Sequence, residues 1–344
     1  MSKELEYNNK CLSYNRKIVV LTPVKNESWI LPIFCKSTSI WADYIIIADQ
    51  GSTDGSKEIA SQHPKVILIN NDSEDLDEGY RDKLMVDKAR ELVGTNGILF
   101  RIDADELFTP NFDSDDWTMI KQSQPGTVWH FRWIQLNKNF KSYWEMPKSS
   151  MYGAFVDDGR EYFPQGLIHA RCMFTSTNSE DIQIPHNISL LHFQFVDWNR
   201  MRSKHRWYQC FERIKFPDKS AIDIYRMYHW MYNPSLPFQT IPTEWIDGYK
   251  TNYGIDLNSY VKEKHYWWDD KVKEYFSEYS PNKFRHIETY HNIRGLLFAK
   301  GKNLFDKILL LYLHCTKSIY NKRRGRLFEF VNKTDSYLIF KMKI

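Results

Sequence analysis

Four short apolar runs punctuate the first hundred or so residues, and each ends in a polar cluster. Residues 17–21 (KIVVL) form a continuous apolar run, the pattern of a parallel strand buried on both faces. It runs into Thr22-Pro23-Val24-Lys25-Asn26-Glu27, and residues 29–39 follow with helical spacing. Residues 44–48 (YIIIA) predict a second strand, which ends at Asp49-Gln50-Gly51-Ser52-Thr53-Asp54-Gly55 ahead of a helix over 56–62. Residues 65–69 (KVILI) predict a third strand and residues 84–93 a helix. The fourth strand, 98–102, leads into a cluster of carboxylates.

Strands alternating with helices through short connections predict an α/β fold with a doubly wound, mostly parallel sheet. Ligands bind such sheets beyond the carboxyl ends of the strands. The polar clusters all sit at predicted strand ends, so they are expected to converge on one crevice. No G-x-G-x-x-G follows the first strand and no G-x-x-x-x-G-K-[ST] occurs, which disfavours a dinucleotide oxidoreductase and a P-loop nucleotidase. Beyond Pro110 the pattern is mixed. Residues 127–135 and 188–195 read as strands, 151–163 as a loop and 197–214 as a helix. Residues 217–292 are aromatic-rich and mainly helical, broken at Pro234, Pro237, Pro242 and Pro281. The expected organisation is a polar leader (1–16), a catalytic domain (17–215), a helical extension (216–300) and a basic tail (301–344).

The acidic stretch is Phe100-Arg101-Ile102-Asp103-Ala104-Asp105-Glu106. Continued as a strand, it points Asp103 and Asp105 to one face with Ala104 opposite. Two carboxylates so placed repel each other, and a hard divalent cation relieves the repulsion. Mg²⁺ prefers one or two carboxylates plus phosphate oxygens. The plainer alternative is a strand end with a solvated acidic turn.

Composition sharpens this in three places. Twelve Trp, 21 Tyr and 21 Phe are enough to fill a core and also to line a site for carbohydrate faces. The net charge of +4 hides an asymmetry: residues 300–344 hold 11 Lys/Arg against 3 Asp/Glu, a balance of +8, which leaves −4 for the rest. A mildly acidic body argues against nucleic acid as a partner. The five cysteines are scattered without a C-x-x-C, so neither a disulfide framework nor a zinc site is indicated and a reducing compartment fits best. A polar N-terminus without an apolar core gives no sign of a signal peptide, and no apolar run is long enough to span a membrane. The expected location is cytoplasmic, at most peripheral at the inner face of the membrane.

Taken together, Leu21-Thr22-Pro23-Val24-Lys25-Asn26-Glu27, Ala48-Asp49-Gln50-Gly51-Ser52-Thr53-Asp54-Gly55-Ser56 and Ile102-Asp103-Ala104-Asp105-Glu106 resemble the family 2-like glycosyltransferases of the GT-A fold, in order and spacing. The resemblance is close over residues 17–110 and looser beyond, around Ile168-His169-Ala170-Arg171 and Leu191-His192-Phe193. It implies a GT-A-type, Rossmann-like sheet and transfer of a sugar, with inversion, from a nucleoside-diphosphate sugar (UDP or GDP) to a saccharide or lipid-linked saccharide. It also implies a divalent metal, Mn²⁺ or Mg²⁺, and a role in surface-polysaccharide or lipopolysaccharide synthesis. Carried over residue by residue, Thr22, Pro23, Asn26 and Glu27 would flank the nucleoside. Asp49 would accept a base N–H, Asp103 would face the ribose or a metal-bound water, and Asp105 would bind the metal. Turn chemistry is the plainer reading of Asp49 and Asp54.

Inversion asks for one carboxylate to take the acceptor's proton. Asp157 and Asp158, on the aromatic-flanked stretch after the metal motif, are the candidates, with Glu180 and Asp181 as competitors. His192 is either a hydrogen-bonded core residue or a further metal ligand, as in several GT-A enzymes. Arg81 and Lys83, and less strongly His169 and Arg171, are candidates for diphosphate or acceptor contact. Two other readings stand beside this one: a nucleotidyltransferase, disfavoured by the absence of Gly in Thr22–Glu27, and a catalytically silent sugar-nucleotide-binding scaffold. Finally, residues 303–320 place Leu304, Ile308, Leu311, Cys315 and Ile319 at helical spacing beside a basic run, the signature of a helix lying in an anionic membrane interface or packing on the body of the protein.

Overall fold

The computed structural model describes residues 16–73, 77–146, 151–160, 182–229, 236–287 and 304–342. His169, Arg171, Glu180 and Asp181 lie outside the described residues. The chain divides into two compact units, Met1–Phe193 with Thr240–Lys262, and Gln194–Gln239 with Glu263–Ile344.

The first unit is an α/β layer structure. Its strands are β1 (Ile18–Val24), β2 (Tyr44–Asp49), β3 (Val66–Asn70), β4 (Ile98–Arg101), β5 (Glu106–Phe108), β6 (Val128–Leu136), β7 (Ser142–Glu145), β8 (Met151–Val156), β9 (Ile182–Gln183) and β10 (Ser189–His192). Helices α1 (Leu31–Thr38), α2 (Ser56–Ser61) and α3 (Glu78–Val93) connect the first four strands, and α4 (Asp115–Gln122) follows β5. The main sheet runs β7-β6-β8-β4-β1-β2-β3, with β10 between β5 and β6. Strands β4, β1, β2 and β3 are parallel, as the continuous apolar runs predict. Strand β8 is antiparallel to both β4 and β6, which makes the sheet mixed.

The two faces of these strands bury different layers. Val19, Leu21, Ile46, Ala48 and Leu99 pack with Met85, Val86 and Ala89 of α3. On the opposite face Phe100 stacks with Trp117 and Phe131 and meets Phe108 and Trp41 edge-on. Cover on both faces explains why the parallel strands carry no polar alternation.

The chain leaves β1 toward β2 and β3 and returns to its other side as β4, so the switch point lies between β1 and β4. Pairing between them is regular only from Ile18–Ile98 to Leu21–Arg101 and ends with Ile102 N donating to Leu21 O. Pro23 comes two residues later on the same edge of β1. It has no N–H to continue the ladder, so pairing stops there, at the switch point where a ligand crevice is expected in such sheets.

Three elements differ from expectation. Helix α3 begins at Glu78 rather than at residue 84, because Asp77 caps it by accepting from Tyr80 N at 2.9 Å and because its first turns bury the polar Arg81 and Asp82. Residues 151–156 form β8, not a loop. The register of β8 against β6 jumps from Trp129–Ala154 to His130–Tyr152, which leaves Gly153 as the extra residue of a bulge. The acidic stretch is a turn, described below.

The second unit is helical: α5 (Trp198–Lys215), α6 (Ala221–His229), α8 (Trp267–Glu278) and two closing helices, Leu304–Asn321 and Arg326–Met342. Helix α7 (Thr243–Tyr253) belongs to the first unit, where Tyr249 donates to Phe108 O.

A Cβ at Gly153 would sit 2.3 Å from Cδ2 of Phe131, a ring locked in the aromatic layer. Gly153→Ala is expected to destabilise the protein by about 1–3 kcal/mol. Chemical denaturation measures this, and an unchanged midpoint would mean that the Phe131 ring is free to move.

Candidate functional site

Two loops meet at the carboxyl ends of β1 and β2. The β1–α1 loop and the β2–α2 loop are sewn together by side chains bonding backbone. Asn26 N donates to Ser52 Oγ (2.9 Å), Glu27 N to Ser56 Oγ (2.9 Å) and Ser28 N to Asp54 Oδ2 (2.9 Å). In return, Asn26 Oδ1 accepts from Thr53 N at 2.8 Å. Asn26 holds φ of +57°, a left-handed conformation that Asn tolerates better than most side chains. Glu27 accepts from the indole of Trp29 at 2.5 Å, so its carboxylate is occupied locally. Asn26, Glu27 and Asp54 therefore shape the loops.

Asp49, the last residue of β2, is 1% exposed. Its Oδ2 accepts from Ser52 N (3.0 Å) and lies 3.3 Å from Lys57 Nζ. Its buried Oδ1 has no hydrogen-bond partner, and neither has the buried hydroxyl of Thr22. A buried carboxylate oxygen without a donor is costly, which makes Asp49 a place for an incoming N–H. Asp49 lines a cavity of about 310 Å³ together with Lys25, Gln50, Lys57, Asn70 and Asn71. Of these, only Asp49 was singled out by the sequence. Asn70 and Asn71 follow from the strand order, which brings the end of β3 beside that of β2.

The acidic stretch lies two strands away, roughly 10 Å at normal sheet spacing. Strand β4 ends at Arg101, and residues 103–106 form a turn closed by Glu106 N donating to Asp103 O at 3.0 Å. The sequence pattern places Asp103 and Asp105 on one strand face; because β4 stops at Arg101 and a turn follows, they do not share one. They are placed by different partners. Arg101 is 3% exposed and lies between Asp82 (Nε to Oδ1, 2.9 Å) and Asp103 (Nη1 to Oδ1, 2.8 Å). Burial alone would lower the Arg101 pKa, but the two carboxylates outweigh it and hold the guanidinium firmly charged. Arg81 reaches the same cluster, with Nε 3.8 Å from Asp82 Oδ1, and that nitrogen is buried without a hydrogen-bond partner. Lys83 points elsewhere, half-exposed and paired with Asp87 one helical turn on. Asp82 escaped sequence reading, although a charged Arg at the end of a run buried on both faces calls for an acid nearby.

Glu106 is fully buried. It accepts from Asp103 N and from Trp133 Nε1, both at 2.9 Å, and so fixes the turn. Asp105, 3% exposed, accepts at its carbonyl from Phe193 N at 2.8 Å, which ties the turn to the end of β10. His192 closes β10. Its ring stacks on Trp133 with centroids 4.9 Å apart, and Nδ1 donates to Gln135 Oε1 at 2.8 Å. With the proton on Nδ1, the lone pair of Nε2 lies 3.5 Å from Asp105 Oδ2, too far for a good hydrogen bond. His192 is therefore both a bonded core residue and a donor atom facing Asp105.

Among the described residues no group of three or more His, Cys, Asp or Glu side chains is arranged to hold a metal ion. The residues present fit a divalent ion in a more limited way. One carboxylate oxygen and one imidazole nitrogen converge at a spacing suited to neighbouring ligands, with Asp103 close by in the turn. Mg²⁺ takes few protein ligands and completes its shell from phosphate and water. Imidazole favours Mn²⁺ over Mg²⁺.

Asp157 and Asp158 are not part of this site. Strand β8 runs antiparallel to β4, so its end lies at the start of β4, where Asp157 N donates to Gly97 O at 2.9 Å. That is four residues before Arg101, about 13 Å along the strand. Asp157 is 1% exposed and bonded twice by Arg90, at 2.7 and 2.9 Å. Burial raises the Asp158 pKa, but hydrogen bonds from Arg160 outweigh it and hold the carboxyl below the usual range. Both residues are held at the amino end of β4, the opposite end from Asp105, so the structure does not bring them together with the residues that the sequence reading groups with them.

No family model and no curated protein matches the chain. Solved structures match part of it. Glucosyl-3-phosphoglycerate synthase from Mycobacterium tuberculosis, in complex with Mn²⁺, UDP and glucosyl-3-phosphoglycerate, matches at 19% identity with a TM-score of 0.26, over 37% of this chain and 47% of that one. The same synthase with Mn²⁺, UDP-glucose and phosphoglyceric acid matches at 21% identity and TM-score 0.26, over 36% and 44%. HddC from Yersinia pseudotuberculosis matches at 12% identity and TM-score 0.24, over 41% and 73%. The chain thus spans less than half the length of the synthase structures it matches. Similarity of this degree carries no weight for function.

Asp82→Ala would leave Arg101 buried with one counter-charge removed. The expected loss is about 3–5 kcal/mol of stability, the cost of breaking a buried pair. Urea denaturation reads it, and a loss below about 1 kcal/mol would mean that Asp103 alone compensates Arg101.

Proposed function

We propose that the protein is a metal-dependent glycosyltransferase that takes a sugar from a nucleoside diphosphate to an acceptor hydroxyl. The observation that carries this is the placement of two unlike recognition groups at strand ends on the same side of one mixed sheet. Asp49 offers a buried, unpartnered carboxylate oxygen to a base. Two strands away, Asp105 and His192 converge beside a turn held by Arg101. A nucleoside bound at one end and a diphosphate at the other match that layout. The resemblance of the three motifs to family 2-like glycosyltransferases agrees with it.

In this reading Asp49 orients the nucleoside by accepting a pyrimidine N3–H or a purine N1–H. Thr22 and the loop ordered by Asn26 form the wall of the nucleoside site. Asp105 and His192 would hold a divalent ion, Mn²⁺ or Mg²⁺, whose charge would offset that of a departing diphosphate. Asp103, oriented by Arg101, faces a ribose hydroxyl or a metal-bound water in this reading. Arg81 reaches toward the same charge from α3. Lys83 takes no part. The proton of the attacking hydroxyl needs a carboxylate on the acceptor side, and in this reading Asp157 and Asp158, at the opposite end of β4, do not supply it. Inversion, a saccharide or lipid-linked acceptor and a place in surface-polysaccharide synthesis belong to this proposal as consequences of the motif resemblance.

The test is a hydrolysis screen with UDP-, GDP- and CDP-sugars, with and without Mn²⁺. Slow metal-dependent release of nucleoside diphosphate from one donor is expected. Release from none, or release of nucleoside monophosphate, would count against a glycosyltransferase. Asp49→Asn turns an acceptor into an amide that can present N–H to the base while still bonding Ser52 N. It should weaken nucleoside diphosphate binding about 10- to 100-fold, the worth of one hydrogen bond to a charged group. Calorimetry checks this, and unchanged affinity would remove Asp49 from the nucleoside site.

A further inference from the structure

The two closing helices of the second unit bury one side and leave the other apolar and exposed. The buried side is well defined. Leu309, Leu313 and Val331 are at most 3% exposed. Arg226 of α6 pairs with Asp335 through Nε at 2.9 Å and donates to Thr316 Oγ1 at 2.8 Å, and Tyr312 donates to Asp335 at 2.8 Å. Asp306 is likewise buried, 3.3 Å from both Arg285 and His286. Packing therefore explains only part of the apolar content of these helices.

On the first helix Leu304, Ile308 and Leu311 are 70%, 55% and 63% exposed, at spacings that put them on one face. On the second, Leu327, Phe330, Tyr337 and Phe340 are 61–77% exposed and again share a face. Large exposed apolar side chains in such continuity mark an interaction surface. Charge identifies the partner. The turn between the helices exposes Lys322, Arg323, Arg324 and Arg326, and the helices themselves expose Lys307, Lys333 and Lys341. Two of the three acids in this segment, Asp306 and Asp335, are buried and already paired, which leaves Glu329 as the one exposed acid among the described residues here. Docking a second copy face to face would press like charges together.

We propose that these two helices form a monotopic docking surface for an anionic lipid bilayer, with the Leu and Phe side chains entering the interface and the basic turn meeting the headgroups. No helix among the described residues is long and apolar enough to cross a membrane. A surface contact of this kind combines apolar burial with attraction to anionic lipid. The proposal stands independently of the sugar-transfer reading.

The test uses the full chain and vesicles of phosphatidylcholine alone or with about one-third phosphatidylglycerol. Co-sedimentation is expected with the anionic vesicles, to fall at least about tenfold without the anionic lipid and to weaken as salt rises. Phe330→Glu/Phe340→Glu and, separately, Arg323→Glu/Arg324→Glu alter only exposed side chains, so folding should be kept. Each should reduce vesicle binding about tenfold or more while leaving the thermal unfolding midpoint unchanged. Equal binding to neutral and anionic vesicles, binding unaffected by both variants, or no vesicle binding would overturn the proposal. So would a stable dimer in wild type that Phe330→Glu/Phe340→Glu converts to monomer, since a second copy would then be the occupant.

Discussion

The buried guanidinium of Arg101 is the constraint on which the candidate site depends. A strand that is apolar on both faces ends in a charge, and that charge must be neutralised without water. Asp82 reaches it from α3 and Asp103 from the turn that follows. The pair of contacts fixes the position of α3 relative to β4, and so of Arg81 beside Asp82. It also holds one oxygen of Asp103 and stops the acidic stretch from continuing as a strand. A hydrophobic replacement would serve stability as well or better. What the ion triad provides is a defined place for the carboxylates.

A second layer locks the turn from the far side. Glu106 accepts from Asp103 N and Trp133 Nε1, the Asp105 carbonyl accepts from Phe193 N, and Gln135 sets the His192 tautomer. Strands β5, β6 and β10 each supply one of these supports. The strand order, with β10 between β5 and β6, is therefore what brings His192 to Asp105 from nearly ninety residues away in sequence. On the other side of β1, the loops after β1 and β2 order each other through Asn26, Ser52, Asp54 and Ser56, and Asp49 is left with one oxygen unsatisfied.

Much of the first unit was legible in the sequence because its parallel strands must be apolar on both faces, and each such run was found. The α/β class and the position of Asp49 at the end of a strand follow from that pattern. The parts that were not legible depend on long-range pairing. Residues 151–156 look loop-like because Gly153 and the following Asp-Asp-Gly dominate the local signal, yet β4 and β6 both need an antiparallel neighbour there. Once β8 is in place, Asp157 and Asp158 fall at the start of β4 instead of its end. Nothing local could reveal that reversal. Asp82, Gln135 and Glu106 are ordinary polar residues in sequence, and only contact shows what they hold. The tail differs again: its amphipathic spacing was plain, but which apolar residues pack inward is decided by Arg226 and α6.

The central claim is that Asp105 and His192 form the protein's part of a metal site that a nucleoside diphosphate completes. Calorimetric titration of UDP and GDP into wild type and Asp105→Asn, each with and without Mn²⁺, addresses it directly. The account predicts that Mn²⁺ tightens binding of one nucleoside diphosphate about tenfold or more in wild type and has no effect in Asp105→Asn. Mn²⁺-independent binding in wild type, or an equal gain in both proteins, would contradict it.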